Sequence, residues 1–391
     1  MTAIFLASVA VGRSQGVTSL GGEFSVLGSL PYDQVLPSIA LTPAGGVVAF
    51  YNQGQGIYGA VLGGDDTAQS ISSVNKTAMA DQVRPVVQEL LHGITIFVWQ
   101  SKVLGSSDIY FRLAKGTSFF TKEIRVNTYM KDQQVEPTVT ALPDGGAMIT
   151  WSSYGQDGSG WGVYARKVTA AGVLVGAQEF LVNQYTAGNQ RKPALCALAG
   201  GNVVFAWVSE DERFVQSRDI YARVFSAAGV AVTSEFLVNS GTNKCASPAL
   251  APLNNGGFTA AWSQKDTVLT NGWDVWGRAF NAHGAPTVPA FRINGFLFGD
   301  QYNPRLASGP NGVLAVWTSL GQDGDREGVF GRFLLAGNQV SVDEFQVNTT
   351  SVSQQMEPDV AWNGDHFLVV WTSFAGASGF DLFGQMYILT Q

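Results

Sequence analysis

The chain is poor in the residues on which most catalytic and metal chemistry is built. It has two cysteines and three histidines in 391 residues. His92, His283 and His366 fall in turn positions of three separate segments, so neither a histidine metal cluster nor a Ser-His-Asp set is expected. Cys196 and Cys245 read as buried free thiols. A disulfide between them is the other reading, and so small a count does not settle the redox compartment. No run of 18 apolar residues is present, which excludes a bilayer-spanning helix. No stretch repeats its apolar residues with a helical period, so almost no helix is expected. No glycine-rich phosphate loop opens a helix. Charged residues make up 14% of the chain and the net charge is −7. That balance argues against nucleic acid or an anionic membrane as partner, since both call for a basic surface.

What is abundant is glycine, at 46 residues, and apolar side chains, at 46%. Repetition explains both. From Glu136 to Gln190 the chain reads as a short apolar run opened by Pro137, then the turn Leu142-Pro143-Asp144-Gly145-Gly146. A strand ending at Trp151, a glycine-rich loop (Tyr154 to Gly160), a strand Trp161 to Arg166 and a last strand Glu179 to Asn183 follow. Equivalent strand-opening prolines stand at Pro37, Pro85, Pro137, Pro193, Pro248, Pro304 and Pro358, at steps of 48 to 56 residues. An aromatic lies 13 or 14 residues after each: Tyr51, Trp99, Trp151, Trp207, Trp262, Trp317 and Trp371. Four short strands repeated at such a period are the signature of a β-propeller blade. The expected fold is all-β: one seven-bladed propeller of four-stranded antiparallel blades.

The blades are expected at 35–82, 83–134, 135–190, 191–245, 246–301, 302–355 and 356–391, the last completed by about 16–34. The seventh unit stops after its third strand, and Glu23 to Leu27 supplies the missing fourth, so the two ends should share a blade. Met1 to Gln15 is then in excess. It reads as an extra strand or arm rather than a secretory signal, because it lacks a basic leading segment. An apolar edge strand is adhesive, so this arm is also a candidate for self-assembly or for joining a larger complex.

Variation is concentrated in the loops between second and third strands and in those entering each blade, which share one face of a propeller. The aromatics Tyr129, Trp161, Tyr185, Trp273 and Tyr302 on that face are candidates for stacking on sugar rings. Asp157, Asp211 and Asp323 are candidate hydrogen-bond acceptors. The repeated tryptophans read as packing between blades. Arg112, Arg166, Arg223, Arg278 and Arg332 read as partners of a repeated acid or carbonyl. Asp323, Asp325 and Glu327 are the candidate ligands if any loop binds calcium, against the plainer reading of Asp157 and Asp323 as Asx turns. No cofactor is otherwise expected. A glycosidase needs two carboxylates across a pocket, and no pair stands out.

The pattern Trp-Ser-x-x-Gly-Gln-Asp-Gly, Gly-Val-Tyr-Ala-Arg and Glu-Phe-x-Val-Asn, running from Trp151 to Asn183 and recurring from Gln34 onward, resembles repeats of bacterial surface and secreted propeller proteins. Asp157-Gly158-Ser159-Gly160-Trp161 faintly resembles the Asp box of sialidase-like propellers. Seven-bladed bacterial lectins share the architecture. The resemblance implies the propeller fold and an extracellular, cell-surface or periplasmic life, and it transfers no catalytic residue. The expectation drawn is a non-enzymatic propeller recognising glycans or a protein surface through its loop face. The alternatives are a scaffold subunit joined through its N-terminal strand, and a carbohydrate-active enzyme.

Overall fold

A computed structural model describes residues 16–76, 81–103, 105–266, 272–336, 339–340 and 343–390. The expected N-terminal arm at residues 1–15 lies outside these. Seven antiparallel sheets form a ring, each with four long-path strands ordered from axis to rim. Blade 3 shows the plan: Gln134–Ala141 innermost, then Ala147–Tyr154, Trp161–Val168 and the short outer strand Phe180–Leu181. Blades 2 and 6 add one further two-stranded pairing at the rim. The ring closes in blade 7, where Gly16–Ser25 pairs with Phe380–Thr390, with Phe24 opposite Gly384 and Ser19 opposite Tyr387. Among the described residues no helix is long and apolar enough to cross a membrane.

Each blade buries one large aromatic at the same place. Trp99, Trp151, Trp207, Trp262, Trp317 and Trp371 are all at most 1% exposed, which settles their role as packing between neighbouring sheets. In blade 1 the structure corrects the sequence register. Phe50, fully buried and paired with Tyr58, fills the tryptophan position, whereas Tyr51 pairs with Ile57 and is half-buried. The spacing from Pro37 is therefore 13 residues, as in blades 6 and 7, and not 14. Where neighbouring sheets approach closely glycine leaves the room: a Cβ on Gly59 of blade 1 would lie 2.7 Å from Phe97 Cε1 of blade 2.

Adjacent blades are tied by a repeated polar latch. Arg112, Arg166, Arg223, Arg278 and Arg332 each donate from Nη1 to a carbonyl of the preceding blade: Val74, Val126, Val182, Val238 and Ile293, at 2.8 to 3.3 Å. The partner is thus the carbonyl of the two choices left open by the sequence. Within blades 1 to 6 the asparagine ending the fourth strand accepts from the third-strand backbone, as Asn183 Oδ1 does from the Val163 amide at 2.7 Å. Asn75 and Asn348 are held the same way. The glutamate opening the fourth strand reaches back to the preceding blade: Glu179 accepts from the Thr128 and Tyr129 amides, Glu235 from Gln184 and Tyr185, Glu344 from Gly295 and Phe296, and Glu23 from Thr349 and Thr350. Glu23 makes the last of these contacts across the chain's two ends, so the shared blade keeps the glutamate contact, while Gln385 and Leu27 stand where other blades have the arginine and the asparagine. Cys196 and Cys245 are free and buried, and burial pushes the Cys196 thiol up to about 12.

Candidate active site at the axial channel

The strand-opening prolines do more than mark the repeat. In every innermost strand the proline and the residue before it face a single residue on the second strand, forming a β-bulge. That single residue is the buried tryptophan, or Phe50 in blade 1. The residue before each proline adopts a left-handed backbone: Leu36, Arg84, Glu136, Lys192, Ser247, Asn303 and Glu357, with φ between 49° and 57°. This conformation costs an L-residue about 1–2 kcal/mol, and a following proline adds restriction. None of these residues is β-branched, the class least able to adopt it.

The seven strained residues line the axial channel, a cavity of about 460 Å³, within the range of small-molecule sites. Ser38, Thr138, Arg305 and Asp359, one position beyond the prolines, line it too. Strained backbone held uniformly by a rigid scaffold is a recurrent property of functional sites. Here the scaffold is visible: second-strand hydroxyls accept the strained amides of the next blade, Ser152 from Lys192 at 3.0 Å, Ser263 from Asn303 at 3.1 Å and Thr318 from Glu357 at 3.2 Å.

Three carboxylates and three cations meet in this ring. Glu136 Oε2 accepts from the Lys192 amide at 3.1 Å and from Ser152 Oγ at 3.2 Å. Glu357 takes the corresponding amide of its own next blade, that of Leu36. The two glutamates are therefore fixed by equivalent contacts, in blades 3 and 7, on opposed sides of a seven-membered ring. Burial pushes the Glu357 carboxyl above the usual range, against the pull of Arg305 and Arg84. Asp359 is raised by burial as well; it accepts from the Ile39 amide at 2.9 Å and lies 3.9 Å from Arg305 Nε. A carboxyl raised by burial, across a pocket from a second carboxylate, is the donor set of general acid–base work.

The residues singled out from the sequence lie elsewhere: none of Tyr129, Asp157, Trp161, Tyr185, Asp211, Trp273, Tyr302 and Asp323 lines the channel. Three share one sector of the loop face. The Trp161 amide donates to Asn189 Oδ1, and the Tyr185 hydroxyl donates to the Asp211 carbonyl at 3.5 Å. The Trp161 ring packs edge-on against Tyr154, 5.2 Å away. Trp273 sits under Lys265 Nζ at 5.8 Å. The Tyr129 amide is taken by Glu179. Tyr302, next to the channel ring, has its hydroxyl pushed up to about 12 by burial, with Glu327, Asp300 and Glu357 adding to it. Asp157 closes an Asx turn onto the Ser159 amide at 3.1 Å. Asp323 Oδ2 accepts from Asn348 at 3.1 Å, Asp325 from the Ser353 amide at 2.7 Å and Glu327 from Gln354 at 2.9 Å. The three candidate calcium ligands thus turn to three different partners, and among the described residues no three His, Cys, Asp or Glu side chains group to hold a metal ion.

Glu136, Glu357 and Asp359 were missed from the sequence, although a signal existed. Each lies beside one of the prolines that define the repeat, at the position where residue type changes from blade to blade.

No protein-family model matches the chain, and no curated protein matches it in sequence. Solved structures match it in fold. A protein of unknown function from Dyadobacter fermentans superposes with a TM-score of 0.60 at 11% identity, over 96% of this chain and all of its own (100%). An α-L-arabinanase from Penicillium chrysogenum, solved with arabinobiose, gives 0.54 at 12% over 78% of this chain and 92% of its own. An ulvan lyase from a new family of polysaccharide lyases gives 0.54 at 10% over 92% and 96%. At these identities the likeness establishes the propeller fold. It also overturns the expectation of a non-enzymatic binding or scaffold module: the neighbours whose activity is named are enzymes acting on carbohydrate.

Proposed function

We propose that the protein is a carbohydrate-active enzyme that cleaves a glycosidic bond of a polysaccharide at the mouth of the axial channel. The observation that carries this reading is the pair Glu136 and Glu357, set in strained backbone on opposed walls and anchored by equivalent contacts, with one of them raised by burial. Glu357 is the general acid, protonating the departing glycosidic oxygen. Glu136, hydrogen-bonded by Ser152 and the Lys192 amide, is the carboxylate that activates water or attacks the sugar. Asp359 and Arg305 hold the acid's surroundings. Exposed Tyr32, Tyr154, Phe214, Phe298 and Phe374 offer apolar surface to sugar rings. Because its substrate is a polymer, and its repeats resemble those of secreted bacterial propellers, we infer that it works outside the cytoplasm.

The test is incubation of the purified protein with a panel of plant and algal polysaccharides, following new reducing ends and the ultraviolet absorbance of unsaturated uronates. Cleavage by the native protein, abolished in E357Q and E136Q, is expected. Reducing ends without the absorbance identify hydrolysis, and the absorbance identifies elimination. A folded protein that cleaves no member of the panel, or glutamine variants that cleave as fast as the native one, would overturn the proposal.

A further inference from the structure

The charges at the channel mouth are not equally satisfied. All three carboxylates are engaged from within: Glu136 by Ser152 and the Lys192 amide, Glu357 by the Leu36 amide, Asp359 by the Ile39 amide and Arg305. The cations are not. Arg84 and Lys192 are exposed, and neither side chain forms an ion pair among the described residues. Arg305 is half exposed, 3.9 Å from Asp359 and donating from Nη1 to the Pro304 carbonyl at 3.4 Å. Arg84 and Lys192 flank Glu136 in ring order, and Arg84 is also close enough to Glu357 to favour its charged form. Each sits in the strained left-handed conformation that orients the ring. In a chain of net charge −7, the mouth thus keeps two exposed cations outside any ion pair, beside carboxylates that are already held by hydrogen bonds or by Arg305. Such an arrangement is complete only when a ligand supplies the anion.

We infer that the channel mouth binds an acidic saccharide, a sugar bearing a carboxylate or sulfate, through Arg84 and Lys192. This rests on the proposed function and narrows its substrate class. The experiment uses full-length E357Q, so that binding is read without turnover. An oligogalacturonate and an arabino-oligosaccharide of equal length are titrated by calorimetry at low and high salt. The acidic sugar should bind at least about tenfold tighter at low salt, with the preference shrinking as salt rises. Adding R84Q or K192Q should each lower its affinity by about tenfold, with unchanged thermal midpoints. Equal affinity for the two sugars, a salt-independent preference, or no loss in either variant would overturn the inference. Those results leave the enzymatic reading standing wherever the native protein cleaves a neutral glycan. Conversely, tight salt-dependent binding of the acidic sugar by a protein that cleaves nothing keeps this inference and defeats the enzymatic one.

A second inference comes from comparing blades away from the channel. In blade 3, Ser153 Oγ donates to Gln156 Oε1 at 2.8 Å, and Gln156 Nε2 donates to Glu179 at 3.0 Å. Blade 6 repeats this with Ser319, Gln322 and Glu344, at 2.8 and 2.8 Å. In blade 4 the glutamine is replaced by Glu212: Ser209 Oγ donates to it at 2.6 Å, and its carboxyl meets Glu235. Two carboxyl groups in contact cannot both be charged. The geometry points to a proton held by Glu212 and donated to Glu235, standing in for the glutamine amide and making the latch between blades 3 and 4 sensitive to pH. The groups around the pair are Tyr221, Arg213, Asp219 and Arg223, with the Gln184 and Tyr185 amides on Glu235. Burial and the neighbouring Glu235, opposed by Ser209, bring the Glu212 carboxyl to about 7. Its folded value is thus raised, so the stability it contributes is present at acidic pH and lost as pH rises through about 7. Thermal midpoints of the native protein and E212Q are compared from pH 5 to 9. They should agree at pH 5 and separate above 7, with E212Q higher by a few degrees. A constant difference, or E212Q lower at alkaline pH, would overturn it, and Q156E should introduce the same dependence in blade 3.

Discussion

Two ring-shaped sets of residues run through this molecule, and they differ in what repeats. In the scaffold both position and residue type recur: arginine to a carbonyl of the preceding blade in blades 2 to 6, asparagine to an amide of its own blade in blades 1 to 6, glutamate to the loop of the preceding blade. At the channel mouth the backbone recurs, a left-handed residue before proline in all seven blades, while the side chain is Leu, Arg, Glu, Lys, Ser, Asn and Glu in turn. The first pattern is what stability requires, since similar joints are satisfied by the same groups. The second is what a site requires, since a ligand without sevenfold symmetry needs different groups at equivalent places. The same contrast separates the tryptophans, fully interior and uniform, from the channel residues, reachable and varied.

This contrast can be broken most severely at the mouth. E357Q should reduce the rate of polysaccharide cleavage by about 10²–10⁴-fold while the thermal midpoint stays within a degree or two. A large loss of stability would show that Glu357 belongs to the scaffold instead. The pH–rate profile sharpens the point. Because Glu357 is raised by burial, the alkaline limb of the profile should lie above that of an unburied glutamic acid, the rate falling as pH rises through the elevated value. R84Q, by removing a cation that favours the charged form, should move that alkaline limb to higher pH.

At the latch the expected loss is of stability and not of chemistry. R166A leaves the Val126 and Gly176 carbonyls without their donor and should cost about 1–3 kcal/mol, read as a lowered urea midpoint. The rate per folded molecule should be retained. The smallest effects belong to the loop carboxylates. D157N and D323N keep the Asx turn geometry and lie off the channel, so cleavage should change by less than about twofold. A hundredfold loss in either would move the site from the axis to the blade tips.

The prolines illustrate how much was legible. Pro37 through Pro358 set the repeat length, the blade count and the closing strand, and the latch residues could be read as recurring types even before their partners were known. Tyr51 was misplaced by one because an aromatic 13 or 14 residues after the proline fits two positions, and burial chose Phe50. Asp157 and Asp323 drew attention because they recur in glycine-rich loops, which is a reason for them to be structural. Glu136 and Glu357 went unnoticed because nothing recurs at their position except the conformation, which no residue type announces.

By itself the sequence determined the ring, since strand period, turn chemistry and recurring latch residues are local properties that repeat along the chain. It did not determine which side chains converge on the axis. The bulge adds one residue to each innermost strand and turns the residue before proline toward the channel, and the members of the ring stand 48 to 56 residues apart. Only closure brings them together, and only the desolvation that closure imposes separates Glu357 from an ordinary surface carboxylate.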